Sequence, residues 1–344
     1  MSATPAPSTL APDTRSADPT STPAIDTIDT IDTADPRARQ RQWVALGLLV
    51  SAQFVVMLDT SIVNVALPSI QRDLALSATA ITWVVNAYVL TFGGLLLLSG
   101  RAADLFGCRR LFTAGSALFT IGTLLAALAT NPALLMSGRI IQGAGAAALS
   151  PAAMSLLLLT YPGPQRARAM SMRGAASAVG GATGVMAGGL LVGIFGWPSV
   201  FYVTVPISIS IAAVALARSV LPVGARGPRR PFDWHGAAAI TGAVIALVHG
   251  ALGIADGGLT APTVRGSLTA SAALLTVFIA VERRTTDPLV PLELFASRTM
   301  RTGVALAVLG GAARASTFVL VALYLQQALH LAPSRPDSPW SPPP

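Results

Sequence analysis

Nine stretches of some 20 apolar residues, separated by short polar links, constrain this chain more than any other feature. They lie at about residues 43–67, 80–100, 111–130, 133–159, 170–194, 197–217, 235–254, 264–281 and 302–325. A helix needs about 20 predominantly apolar residues to cross the hydrocarbon core of a bilayer. The chain is 53% hydrophobic and 11% charged, with a mean hydropathy of +0.64, which fits a solvent that is mostly lipid. The expected class is an all-α polytopic membrane protein.

The 23 basic residues are all arginine, and the sequence pI is about 11.1. Their positions decide between nucleic acid and membrane topology. Arg37, Arg39 and Arg41 precede the first span. Alternate links then hold Arg101, Arg109 and Arg110; Arg166, Arg168 and Arg173; Arg218, Arg226, Arg229 and Arg230; and Arg283, Arg284, Arg298 and Arg301. The opposite links hold only Arg72 and Arg265. Arginine accumulates on the cytoplasmic side of membrane proteins, so the N-terminus is expected there, in a plasma membrane. The basic balance is topological, no patch or aromatic-interleaved groove calls for nucleic acid, and the bilayer is the partner it implies.

Cys108 is the sole cysteine and His235, His249 and His330 are scattered, which leaves nothing to build a metal site or an intramolecular disulfide. No nucleophile and base are paired in the pattern of an enzyme. Residues 1–42, with the repeat IDTIDTIDT, cannot bury enough apolar surface to fold and are expected to be a disordered cytoplasmic tail.

Within this apolar frame a few polar residues stand out. Asp59 lies inside the first span, in MLDTSIVNVALP. An intramembrane acid is costly and usually faces a bundle interior or a wet cavity. Burial disfavours the charged form of a carboxyl, which suits a site that takes up and releases a proton. The other reading is a structural aspartate hydrogen-bonded to Thr60, Ser61 or Asn64. In RIIQGAGAAALSP of span four, Arg139 and Gln142 share one face. Arg139 could snorkel outward or turn inward to a carboxylate. GAGAAA resembles a dinucleotide fingerprint, but no strand precedes it.

Between spans two and three, GRAADLFGCRRLF has Gly100 and Gly107 for a tight turn, Asp104 as a charge partner, and Arg109 and Arg110 as inner-side anchors. It reads as a hinge or latch, or as a plain anchor. Span five carries Gly180, Gly184 and Gly188 at i+4 spacing, with Gly181 and Gly189 beside them, a surface suited to close helix packing or to rocking. Arg314 in span nine is a further pathway candidate and His249 reads as interfacial.

Taken together, these stretches resemble the major facilitator superfamily, in its fourteen-helix drug:proton antiporter branch, from about residue 43 to residue 332. LDTSIVNVALPSI is similar to that branch's first-helix signature. GRAADLFGCRRLF matches the signature between helices two and three through Gly100, Asp104, Gly107, Arg109 and Arg110. RIIQGAG matches the helix-four signature through Arg139, Gln142, Gly143 and Gly145.

The resemblance implies two six-helix bundles that rock about a central site, joined by an extra helix pair. It implies efflux of hydrophobic, often cationic compounds in exchange for protons, with the proton gradient as energy source and no cofactor. Asp59 and Arg139 would serve proton coupling. Asp104 and Arg109 would belong to a cytoplasmic gate, and the packing motif of helix five would be Gly180, Gly184, Gly188 and Gly189. The implied division is a bundle at 43–217, a linker at 218–234, the extra pair at 235–281, a cytoplasmic loop at 282–301, and the first helix of a second bundle at 302–325. Val185 stands where the helix-five signature has proline, and WPSVFYVTVP departs from the usual start of helix six.

Residues 326–344 end in SRPDSPWSPPP, which cannot continue as a membrane helix. The family continues here with Leu-x-Ala-Gly-Leu. One GC-rich coding string for Ser334 to Pro344, read one base earlier, gives Leu-Gln-Ala-Gly-Leu-Ala-Val-Val-Pro-Ala-Ala. The expectation is therefore a base missing near codon 333, which the DNA decides. The competing expectation is a membrane protein that transports nothing, either a truncated relic or an assembly partner using the glycine-rich span five.

Overall fold

The computed structural model describes residues 36–216, 221, 233–285, 293 and 296–327, with the backbone alone described at 36–39, 78–79, 255–256 and 314–327. These residues form helices α1 (Pro36–Asp73), α2 (Ala78–Phe106), α3 (Cys108–Ala127), α4 (Pro132–Thr160), α5 (Pro164–Phe195), α6 (Ser199–Leu216), α7 (Trp234–Gly257), α8 (Pro262–Glu282) and α9 (Arg298–Gln327). By length and composition, α1 to α8 can each cross a membrane, and α9 covers the ninth expected span. The expected tail at 1–35, most of the linker at 218–232 and the end at 328–344 lie outside the described residues, as do the side chains of Arg314 and Asp256.

Most of the helices run past the apolar stretches that announce them, although α6 stays within its own. α1 starts at Pro36, inside the segment expected to be a disordered tail, and α5 starts at Pro164, several residues before its apolar run. Hydrocarbon requires only about 30 Å of apolar helix, and a helix continues beyond it as long as nothing breaks it. The breaks are local and readable. Ser77 caps α2 by accepting from the backbone N–H of Ala80, and Asn131 caps α4 by accepting from Leu134 at 2.9 Å ahead of Pro132. Gly196 and Gly258 end α5 and α7 at φ of +78° and +68°.

The stretch read as a loop at 100–112 is a correction. Gly100 to Phe106 continue α2, Cys108 begins α3, and Gly107 alone makes the turn at φ +93°. A glycine takes that conformation without the penalty of a Cβ, so one residue reverses the chain.

α1 to α6 pack on one another, with α3 against α4, α1 against α5 and α2 against α4 as the main contacts, while α7 docks on α2 and pairs with α8. The closest approaches rest on glycine. A Cβ at Gly115 would meet the Leu149 backbone N at 2.8 Å, one at Gly138 the Ala126 N at 2.8 Å, and one at Gly122 would strike the Gln142 backbone. Gly115 and Gly122 of α3 thus interdigitate with Gly138 and Gly145 of α4, the small-residue packing favoured in lipid. In α5, Gly180, Gly184 and Gly188 face α1, with added Cβ atoms meeting Phe54 O at 2.6 Å, Leu58 O at 2.8 Å and Ile62 Cγ1 at 3.0 Å. Gly189 does not belong to this contact: it is exposed with open space around it, because one position along a helix turns it about 100° off the stripe.

The buried apolar residues of α1 to α6 fall into two clusters, one around Leu49, Val56, Phe112, Phe119, Leu149 and Leu156 and one around Ile62, Ile70, Val84, Leu135, Val200 and Phe201, while Ala239, Ile240 and Phe278 form a third between α7 and α8. The space between the first two is polar. Gly122→Ala is expected to lower stability by about 1–3 kcal/mol through overpacking, and Gly189→Ala not to lower it, as read by thermal unfolding of the detergent-solubilised chain.

Candidate functional site

The polar layer joins three helices. On α1, Asp59 is fully buried between the two apolar clusters; on α4, Arg139 and Gln142 are one turn apart and equally buried; on α3, Thr123 is fully buried. Arg139 Nη1 donates to Asp59 Oδ2 at 2.8 Å and to Gln142 Oε1 at 2.6 Å. Gln142 Nε2 donates to the other carboxylate oxygen, Asp59 Oδ1, at 2.7 Å, and to Thr123 Oγ1 at 2.9 Å. The Thr123 hydroxyl in turn donates to the carbonyl of Phe119 at 2.8 Å.

A fourth helix closes the site. Arg139 Nε donates to the carbonyl of Val84 in α2 at 3.0 Å, and its guanidinium carbon lies 4.3 Å from the centre of the Tyr88 ring. The ring face adds cation–π attraction to the ion pair. Each oxygen of Asp59 therefore has a donor, and Arg139 is held by charge, carbonyl, amide and ring together. A buried ion pair is tolerable only when its remaining hydrogen-bonding capacity is met in this way.

The local partners expected for Asp59 are not the ones that hold it. Thr60 donates to the carbonyl of Val56 at 2.8 Å and Asn64 to the carbonyl of Thr60 at 2.9 Å, so neither supports Asp59. Arg139 points inward rather than snorkelling. Gly143 permits the α2 contact, since a Cβ there would meet the Tyr88 carbonyl oxygen at 2.7 Å, and Gly145 lies against the backbone of Phe119. Tyr88, Thr123 and the Val84 carbonyl are members that the sequence did not disclose.

The residues of the α2–α3 turn lie elsewhere. Asp104 is exposed in the last turn of α2, Arg109 is half-buried and Arg110 exposed in the first turn of α3, and Gly100 sits within α2 with open space around it. Thr123 is about 21 Å further along α3 at 1.5 Å per residue, so this turn and the buried pair are separate sites. His249 is exposed, with Nδ1 3.0 Å from Ser267 Oγ and its ring 6.0 Å from that of Trp83.

Arg173 is a further correction. Grouped in the sequence with the link between α4 and α5, it stands instead nine residues into α5, with Arg166 and Arg168 in the first turns of the same helix.

Comparison with known proteins gives consistent matches. The family model for the Major Facilitator Superfamily matches residues 49–340. The chain is 38% identical over 314 residues to the puromycin resistance protein pur8 of Streptomyces alboniger, covering 90% of this chain and 61% of that one. It is 39% identical over 293 residues to the cephamycin export protein CmcT of Amycolatopsis lactamdurans, covering 83% and 59%. It is 36% identical over 307 residues to the lincomycin resistance protein of Streptomyces lincolnensis, covering 87% and 62%. The chain thus spans about three fifths of the length of these relatives. Among solved structures, the POT family transporter PepTSo aligns with a TM-score of 0.51 at 16% identity, over 69% of this chain and 52% of that one, a likeness of fold.

Arg139→Met is expected to destabilise the protein by about 3–5 kcal/mol, because Asp59 would be left buried and unpaired. The double variant Asp59→Leu/Arg139→Met is expected to recover most of that loss in the same thermal unfolding measurement.

Proposed function

The chain belongs to the major facilitator superfamily, and from that premise we propose that it is a proton-coupled exporter of small hydrophobic compounds in the fourteen-helix branch. It is a transport protein rather than an enzyme. In this reading α1 to α6 form the first bundle, α7 and α8 the extra pair, and α9 opens the second bundle. The N-terminus is cytoplasmic and the membrane is the plasma membrane.

The observation that carries the reading is the complete set of donors on Asp59, held by α4 in a polar layer between two apolar clusters. Protonating Asp59 removes the charge that Arg139 faces and leaves the guanidinium to Val84, Gln142 and the Tyr88 ring. The cost of an unmatched charge in a low-dielectric interior is what lets one proton shift α4 and α2 relative to α1. Deprotonation on the other side restores the pair. The energy source is the proton gradient, with no bound cofactor. Asp104, Arg109 and Arg110, together with the Gly107 turn, are assigned to the cytoplasmic gate.

The named relatives support a cargo of antibiotic-like size and polarity, since their descriptions are of resistance to, or export of, such compounds. A non-transporting membrane partner that associates through α5 finds less support, because Gly180, Gly184 and Gly188 are already filled by α1. Asp59→Asn is expected to reduce proton-driven puromycin uptake into everted membrane vesicles by about tenfold or more, a loss of at least about 1.4 kcal/mol of coupling, while membrane insertion stays unchanged. Uptake by the variant equal to the parent would contradict the proton role of Asp59.

A further inference from the structure

Besides the buried pair, the bundle holds a partly buried cation, Arg173, that forms no ion pair among the described residues. The hydroxyl of Tyr161, after α4, meets the carbonyl of Gln42 in α1 at one end of the bundle. Gln53 on α1 and Ser150 on α4 are each about 16 Å from that contact at 1.5 Å per residue, near the middle of a hydrocarbon core about 30 Å thick. At this level Arg173 reaches across from α5. Its Nη2 donates to Gln53 Oε1 at 2.5 Å and to Ser150 Oγ at 3.4 Å, and Gln53 Nε2 donates to Ser177 Oγ at 3.5 Å.

Arg173 Nη1 is buried and has no hydrogen-bond partner among the described residues, and no described carboxylate forms an ion pair with this side chain. Asp59 does not serve it, since both its oxygens are taken by Arg139 and Gln142. An arginine anchoring a helix end would extend toward the membrane surface. This one is turned inward, across to α1 and α4, at a depth where an ionised side chain is costly and marks a binding or conduction path.

The surroundings define what would complete it. Gln53, Ser150, Arg173 and Ser177 are each only partly buried. Met57 and Met170, one turn from Gln53 and Arg173, are partly buried apolar side chains packed at the edge of the core. A guanidinium with one nitrogen held and the other free is matched by a planar carboxylate, and soft apolar side chains beside it suit an apolar body.

We propose that Arg173, backed by Gln53, Ser150 and Ser177, is the subsite that receives a carboxylate on an otherwise apolar cargo. The transported class then includes anionic and zwitterionic compounds, not only the neutral and cationic ones that the family resemblance implies. This deepens the transport reading and rests on it for the identity of the ligand as cargo.

The test uses the purified full chain in lipid nanodiscs and two probes of one shape, 1-naphthylacetate and 1-naphthylacetamide, titrated by calorimetry without a proton gradient. The parent is expected to bind the acid about tenfold more tightly than the amide, the worth of one charge-assisted contact. Arg173→Gln is expected to abolish that preference, with the acid losing more affinity than the amide, and Arg173→Lys to retain part of it. Equal affinities in the parent, a preference that survives Arg173→Gln, or binding of neither probe would overturn the proposal. Equal affinities combined with a lowered unfolding temperature of Arg173→Gln would assign the arginine to a carboxylate of the protein itself. Because the readout is an equilibrium ratio, its failure is distinct from a failure of proton coupling, which the vesicle assay reads.

Discussion

A carboxylate and a guanidinium buried together in a membrane protein are the constraint around which this bundle is organised. Neither Asp59 nor Arg139 could occupy its position alone, because an isolated ion at that depth costs at least a few kcal/mol. The pair is acceptable because four helices converge to complete its hydrogen bonds: α1 supplies the acid, α4 the arginine and glutamine, α3 a threonine, and α2 a carbonyl and an aromatic ring. The same convergence fixes the register of those helices.

That convergence is possible only because the backbones come close. Gln142 reaches both Thr123 and Asp59 because Gly122 lets α3 lie directly against its backbone, and Arg139 reaches Val84 because Gly143 lets α2 do the same. In lipid no hydrophobic force drives helices together, so association depends on packing and on interhelical hydrogen bonds. Here the two are coupled: the glycines set the distances and the polar layer uses them. In the proposed mechanism, a proton that weakens the pair would act on the contacts that define the bundle and so turn a small chemical change into a helix movement.

Much of this was legible in the sequence. The nine helices of the described residues follow from hydropathy alone, although their ends do not, since apolar runs report the lipid-facing length and α2 continues through polar residues to Phe106. Asp59, Arg139 and Gln142 announce themselves because charge and amide are rare in such spans. Thr123 does not, because a threonine in a helix usually bonds its own i−4 carbonyl, as Thr60, Thr91 and Thr120 do here. The α3–α4 seam escaped because its glycines are spaced by seven, Gly115 to Gly122 and Gly138 to Gly145, and no i+4 stripe marks them. Arg173 was hidden by its neighbours: beside Arg166 and Arg168 it reads as one more inner-side anchor, and only the start of α5 at Pro164 shows how deep it lies.

The central claim is that the Asp59 carboxylate exchanges a proton while remaining in the bundle. Infrared difference spectroscopy of the chain in lipid, with carbon-13-labelled aspartate and an acid pulse, reads this directly. The expected result is loss of a buried carboxylate band and gain of a protonated-carboxyl stretch that are both absent from Asp59→Asn. A difference spectrum in which the parent and the variant are the same would contradict it and leave the pair as a structural element.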